Sequence, residues 1–196
     1  MKKIKSIKNY NTKKIISFDN DEEIVVNYSD EIVEEINQDI IDLDKKKSYN
    51  LSLRYLSYQD RTISEMRKYL KLKNFDENTI EATVNKLIEE NLLNDYEYSK
   101  KFISYKSINN NWGEYKIYNE LKNKGVDENI IKYSIKEYFE CDFEKLCNLI
   151  SKKYFDEYEK DKIKAINKAL SYLQRRGHSY SFSKKIVDSA FSKKEI

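Results

Sequence analysis

Proline is absent from this 196-residue chain, and glycine occurs only at Gly113, Gly125 and Gly177. Without proline nothing breaks a helix from within, so long helices are expected. Three scattered glycines cannot form the Gly-rich phosphate loops of nucleotide hydrolases or dinucleotide enzymes. The two cysteines, Cys141 and Cys147, lie six residues apart; this fits neither a CxxC pair nor a zinc-ligand set and reads as reduced thiols in or beside a core. The single histidine, His178, follows Arg175-Arg176-Gly177 and reads as a solvated turn residue with no carboxylate to make it a general base. Acid pairs such as Glu22-Glu23 and Glu89-Glu90 read as solvated ends of elements. No catalytic constellation, metal site or cofactor is therefore expected, and the chain is read as a non-enzyme. No apolar run approaches the roughly 20 residues that span a membrane, and no charged lead into an apolar segment marks an export signal. A cytoplasmic protein without membrane contact is the expectation.

Charge is plentiful, at 36% of residues, and the net +3 conceals its segregation. Residues 1–18 carry six lysines and no acid, 19–44 eleven acids and no base, 48–140 fifteen of each, and 141–196 thirteen bases against eight acids. A basic C-terminal third is a possible electrostatic footprint for phosphate, while the acidic segment would repel it. Seventeen tyrosines interleaved with lysines raise the idea of base stacking. Tyrosine at helical spacing more often lies at a core or its rim, with an apolar body and a polar tip, so only tyrosines beside basic turns stay candidates.

A block of about fifty residues recurs. Leu70–Ile80 (LKLKNFDENTI) and Leu121–Ile131 (LKNKGVDENII) coincide at seven of eleven positions with a constant offset of 51. Each copy ends one amphipathic helix in Leu70 or Leu121, makes a short basic turn, and begins the next helix at Asp76 or Asp127. An aspartate there accepts hydrogen bonds from the free N–H groups of the first turn, worth about 1 kcal/mol, and Glu77 or Glu128 suits the positive end of the helix dipole. Phe75 and Val126 stand where a hydrophobic staple would clamp the entry.

Before the repeats, Ile4, Ile7, Ile15, Ile16, Phe18, Ile24, Val25 and Val26, with the turn signal Asp19-Asn20-Asp21, predict a small hairpin or three-stranded sheet. A helical period over 30–41 follows, then a linker at Lys45-Lys46-Lys47. The first repeat starts a helix near Tyr49, caps a second at Thr62 with Glu65 as a capping box, and runs its third from Asp76 to about Glu90. The second places helices over Asp95 to about Ser107, 114–124, and Asp127 to about Phe139, with Asn109–Gly113 between the first two. A divergent third copy reads as helices over 143–155 and 163–176 and a last one through Phe182, Ile186, Val187 and Phe191, with Gly177 in the place of Gly125. The expected architecture is mainly α: three tandem three-helix repeats (48–92, 93–140, 141–196) in an elongated, curved solenoid, after a β-hairpin-like segment and acidic linker helix over 1–47.

Such an array binds along an extended surface. The basic turns supply the candidates: Arg61, Lys71 and Lys73; Lys116, Lys122 and Lys124; Arg175 and Arg176. Equivalent turns lined up along one side would track a polyanion or an acidic protein rim. Tyr115 is the exposed aromatic candidate. Trp112 reads as a ring sealing two helices of the second repeat.

In order and spacing the chain resembles the RecX family of bacterial recombinase regulators from Tyr49 to Phe191. The residues that carry the resemblance are Leu53-Arg54-Tyr55-Leu56-Ser57, Arg61-Thr62-Ile63-Ser64-Glu65-Met66, Lys73-Asn74-Phe75-Asp76, Asn91-Leu92-Leu93-Asn94-Asp95, Tyr98, Phe102, Trp112-Gly113, Ile117, Glu120-Leu121 and Lys124-Gly125-Val126. Two departures are a lone Arg61 where members often have an arginine pair, and Asn91 where glycine is common. The resemblance implies a protein, expected as a monomer, that lies in the helical groove of the RecA filament, bridges protomers, and modulates ATPase, strand exchange and co-protease activity in DNA repair and the SOS response, with inhibition the expected sense. It also implies contact with single- or double-stranded DNA. A helical protein acting directly on DNA and a plain protein scaffold stay open beside it.

Overall fold

The computed structural model describes residues 4–9, 13–18, 21–27 and 33–192. Three short strands, β1 (Ile4–Asn9), β2 (Lys13–Phe18) and β3 (Glu23–Asn27), form an antiparallel sheet in the order β1-β2-β3. Register places Ile16 between Ile7 and Ile24, and Ile16 is fully buried. Asp21 has φ 59 in the turn before β3; Asp19 and Asn20 lie outside the described residues.

The helices follow in three sets: α1 (Val33–Leu56), α2 (Ile63–Leu72) and α3 (Glu77–Glu89); α4 (Asp95–Asn110), α5 (Glu114–Asn123) and α6 (Glu128–Tyr138); α7 (Phe143–Lys160), α8 (Lys162–Arg175) and α9 (Tyr180–Ser192). Each set has its own core. Met66, Leu70, Ile80, Val84, Leu87 and Leu93 form the first. Ile103, Ile117, Leu121, Val126 and Ile131 form the second. Leu146, Cys147, Ile150, Ala169, Leu173, Ile186, Val187, Ala190 and Phe191 form the third. Three small cores in a row leave much surface in contact with water.

The caps are those the sequence predicts. The Thr62 hydroxyl accepts the Glu65 N–H while the Glu65 carboxylate accepts the Thr62 N–H. Asp76 accepts from Thr79, and Asp127 from Asn129. Trp112 packs edge-to-face on Phe102 at 6.2 Å, in the sealing place expected for it. Cys147 is buried and Cys141 half-buried.

Three local readings are corrected. Residues 45–47 are not a linker but lie inside the 24-residue α1; lysine is a good helix former, and Ser48 in the next turn is buried against Thr83 of α3 at 2.6 Å. Helix α4 continues past Ser107 to Asn110 and ends when Asn111 turns left-handed. The apolar spacing of α3 (Ile80, Val84, Leu87, Ile88) and α4 (Tyr98, Phe102, Tyr105) predicts buried faces that include Ile88 and Tyr105, yet both are exposed.

Candidate partner-binding surface at the repeat junctions

One contact joins the repeats twice. The turn between the second and third helices of one repeat docks on the start of the second helix of the repeat before it. At the first junction the Thr62 hydroxyl donates to the Lys124 carbonyl at 2.7 Å, and Lys124 Nζ pairs with Glu65 Oε1 at 2.7 Å. At the second, the N–H groups of Gly113 and Tyr115 donate to the carbonyls of Arg176 and Gly177 at 2.8 and 3.2 Å. The first turn of any helix has backbone donors without internal partners. Gly113 has no side chain with which to cap α5, so carbonyls of the following repeat take that place.

Close approach explains where the glycines are. A Cβ on Gly125 would fall 2.3 Å from Ser64 Oγ, one on Gly177 2.4 Å from the Lys116 nitrogen, and one on Gly113 2.3 Å from the Gly177 carbonyl oxygen. Gly125 and Gly177 also have φ of +79° and +88°. Asn74, at the equivalent turn of the first repeat, has φ 63 but docks on no preceding repeat, so only left-handed tolerance is required there and asparagine supplies it. At the other end α8 is 14 residues long where α2 and α5 are 10.

The buried acid Asp95 and the buried His178 both lie at junctions. Asp95 accepts the Ile63 N–H at 2.9 Å across the first junction, and burial pushes its carboxyl up against the opposing pull of that N–H and of Arg67. A raised carboxyl in the folded state means that stability from this group is full below the ordinary value and is lost as pH rises from there through the raised one. Asp95→Asn, which keeps the acceptor without the charge, is thus expected to leave stability at pH 7 unchanged or slightly higher. Asp95→Ala orphans the N–H and is expected to cost about 1–3 kcal/mol; urea midpoints at pH 7 compare them.

His178 is buried, not solvated as its sequence context predicts, because its turn folds onto the end of α4. Its Nε2–H donates to the Asn111 carbonyl at 3.1 Å. Burial lowers its pKa below the ordinary 6.5, partly opposed by that carbonyl and helped by the Arg176 charge. For Glu65, burial raises the carboxyl, but Lys124 and the Thr62 N–H outweigh it and hold it below 4.5. Both depressed values give stability that is present at neutral pH and lost on acidification: His178 starts to lose it below 6.5 and Glu65 only below 4.5. The fluorescence of Trp112, one residue from Asn111, is therefore expected to change between pH 7 and 5 while helical circular dichroism holds.

Two clefts flank the second junction. One, of about 470 Å³, is lined by Phe139, Cys141, His178 and Phe182 among others. The other, of about 670 Å³, is lined by Tyr118, Lys132, Ile135 and Lys136. Glu114, Tyr115 and Phe139 belong to both, and Tyr115, 74% exposed, stands between them. Clefts of this size with apolar walls and a few charges suit a protein segment with apolar anchors. Among the described residues no group of His, Cys, Asp or Glu side chains is placed to hold a metal ion, and no helix is long and apolar enough to cross a membrane.

The candidate residues separate into two kinds. Lys124 is half-buried in its ion pair. Arg176 donates to the Asn110 carbonyl and lies 5.1 Å over the Tyr172 ring. Both fasten junctions. Arg61 stacks on Tyr55 at 4.1 Å and Lys116 on Trp112 at 4.3 Å. Lys122 pairs with Glu128 at 2.6 Å on the surface. Lys71, Lys73, Tyr115 and Arg175 are exposed. The junctions bring Arg61 beside the Lys124 turn and Tyr115 and Lys116 beside Arg176. Lys71 and Lys73 stand apart at the open end. Sequence reasoning missed Phe139, Lys132, Ile135 and Lys136, whose cleft forms where α6 packs beside α5.

Residues 49–87 match the model for RecX, first three-helix domain, and residues 94–133 that for RecX, second three-helix domain. The Regulatory protein RecX of Finegoldia magna is 32% identical over 145 residues, 71% of this chain and 70% of that protein. That of Halalkalibacterium halodurans is 33% identical over 127 residues, 62% of this chain and 48% of the relative. That of Streptococcus pneumoniae is 31% identical over 148 residues, 74% and 56%. The chain thus spans about half the length of two of these relatives. The crystal structure of RecX from Lactobacillus salivarius superposes with a TM-score of 0.68 and 31% identity over 75% of this chain and 96% of that one. With two matched three-helix domains and these relatives, the chain belongs to the RecX family of regulatory proteins.

Proposed function

We propose that this protein binds the filament of the RecA recombinase, seats its stacked repeats in the filament's helical groove, and lowers ATPase, strand-exchange and co-protease activity in DNA repair and the SOS response. Membership of the RecX family carries the reading, and the relatives are named regulatory proteins. The extended array supports it physically. Three units in a row have the length to touch more than one protomer, and such a binder acts by occupying a surface. The proposed contact surface centres on Tyr115 and Lys116 with Arg175 and Arg176 beside them, includes Arg61, Lys122 and Lys124, and has Lys71 and Lys73 as a separate basic patch.

Co-sedimentation with RecA filaments on single-stranded DNA, alongside DNA alone and across a salt series, tests the partner. Binding to the filament at salt concentrations that release the protein from bare DNA is expected. Equal retention on both would remove the recombinase from the reading.

A further inference from the structure

Both internal junctions work in one direction: the left-handed turn of one repeat docks on the start of the second helix of the repeat before it. An array joined this way has two unused ends. At one, the turn of the first repeat at Lys73-Asn74 keeps the left-handed form, with Asn74 at φ 63, and has no repeat before it. At the other, α8 begins at Lys162 with no repeat after it among the described residues. Its four extra residues relative to α2 and α5 extend that start by about 6 Å.

Exposed apolar groups mark both ends. Leu72, in the last turn of α2, is 80% exposed, and Ile163, in the first turn of α8, is 75% exposed; they are the two most exposed aliphatic side chains among the described residues. Ile163 stands with Tyr154 and Asp161 on the wall of a groove of about 770 Å³, ample for a leucine side chain. Charge separates in the same way. Residues 67–74 carry four cations and no acid. Arg67 is engaged by Glu81 at 2.7 Å, while Lys68, Lys71 and Lys73 are exposed. Residues 156–161 carry four acids against the single Lys160. Glu157 serves Lys164 and Lys168, and Asp161 caps α8, which leaves the exposed Asp156 and Glu159 for a cation from outside.

We infer that copies of this chain associate head to tail, the Leu72 turn of one molecule seating against Ile163 at the α8 start of the next. Lys68 and Lys71 then meet Asp156 and Glu159. Because the two surfaces differ, the interface is heterologous and adds subunits without limit unless the rotation closes a ring. Asn74 carries a Cβ where the internal turns have Gly125 and Gly177, so the approach is looser than at a junction and the chain is a monomer when dilute. A filament groove would crowd copies end to end and make their occupancy cooperative; that consequence rests on the proposed function, whereas the contact itself does not.

Sedimentation velocity of the full chain, with no recombinase or DNA present, tests the contact, so its failure leaves the filament reading untouched. The weight-average mass is expected to rise by about 1.5-fold or more over a roughly hundredfold concentration series and to fall back in high salt, which screens the charges. Leu72→Asn and Ile163→Asn, which remove the apolar contact without adding charge, are each expected to weaken association by about tenfold or more. Their equimolar mixture is the decisive sample. Each variant keeps one intact end, so the mixture is expected to form dimers and stop there. Circular dichroism checks each fold. Should either variant unfold, charge reversal serves instead: Lys68→Glu with Lys71→Glu is expected to abolish association alone and to regain it when mixed with the Asp156→Lys, Glu159→Lys variant. A constant mass across the series, variants that associate as the wild type does, or mixtures as inert as their components would overturn the inference.

Discussion

Gly177→Asn is expected to cost about 2–4 kcal/mol, while Asn74→Gly at the equivalent turn is expected to change stability by less than about 1 kcal/mol. The comparison isolates packing from backbone conformation, because both positions are left-handed and asparagine adopts that conformation more readily than other side chains. What differs is the neighbour. The Cβ added at position 177 meets the Lys116 backbone nitrogen at 2.4 Å, and backbone cannot swing aside as a flexible side chain would. Two inter-repeat hydrogen bonds, from Gly113 and Tyr115, depend on the same approach. The loss should appear as a melting temperature lower by roughly 5–15 °C at this chain length, read by circular dichroism. Gly113→Ala gives an independent check, since Gly113 has φ −83 and only its closeness to the Gly177 carbonyl is at stake. An unchanged melting temperature in both would mean that the repeats do not stack through these turns.

Tyr115→Ala is expected to weaken binding to the RecA filament by tenfold or more while shifting stability by less than about 0.5 kcal/mol, as surface substitutions usually do. Exposed for most of its area and standing between two clefts, it is placed as interface anchors are, where truncation costs about 2 kcal/mol or more. Lys116→Ala alone is expected to have a smaller effect, because its ammonium lies over Trp112 and a rim charge contributes mainly to association rate. Surface-captured filaments titrated with each variant measure both. Equal affinity of Tyr115→Ala and the wild type would move the contact surface away from this junction.

Much of the helical order is legible in the residues because caps and turns are local chemistry. Thr62 with Glu65, Asp76 and Asp127 announce helix starts through hydrogen bonds that reach two or three residues. Asn74, Gly125 and Gly177 mark turns that need a left-handed residue. Asn91 does the same, with φ 56, where glycine is common in the family. The repeat offset supplies the threefold order. What stays hidden depends on partners far along the chain. Lys124 reads as one more lysine in a basic turn, yet its ion-pair partner Glu65 lies 59 residues away. His178 reads as solvated because nothing nearby in sequence covers it; Asn111, 67 residues back, does. The clefts beside Tyr115 draw on α5, α6 and the start of α9, so no short segment carries their pattern. Even the contrast between Asn74 and the two glycines acquires its meaning only once the junctions show which turns leave no room for a Cβ.

The central reading is that this RecX-family chain acts on the recombinase filament by occupying it. Titration into preformed RecA filaments on single-stranded DNA, with ATP hydrolysis followed and a DNA-only binding control, tests it most directly. A fall in hydrolysis that saturates at less than one molecule per recombinase protomer is expected; tight saturation of the bare DNA with no change in the filament's ATPase would contradict it.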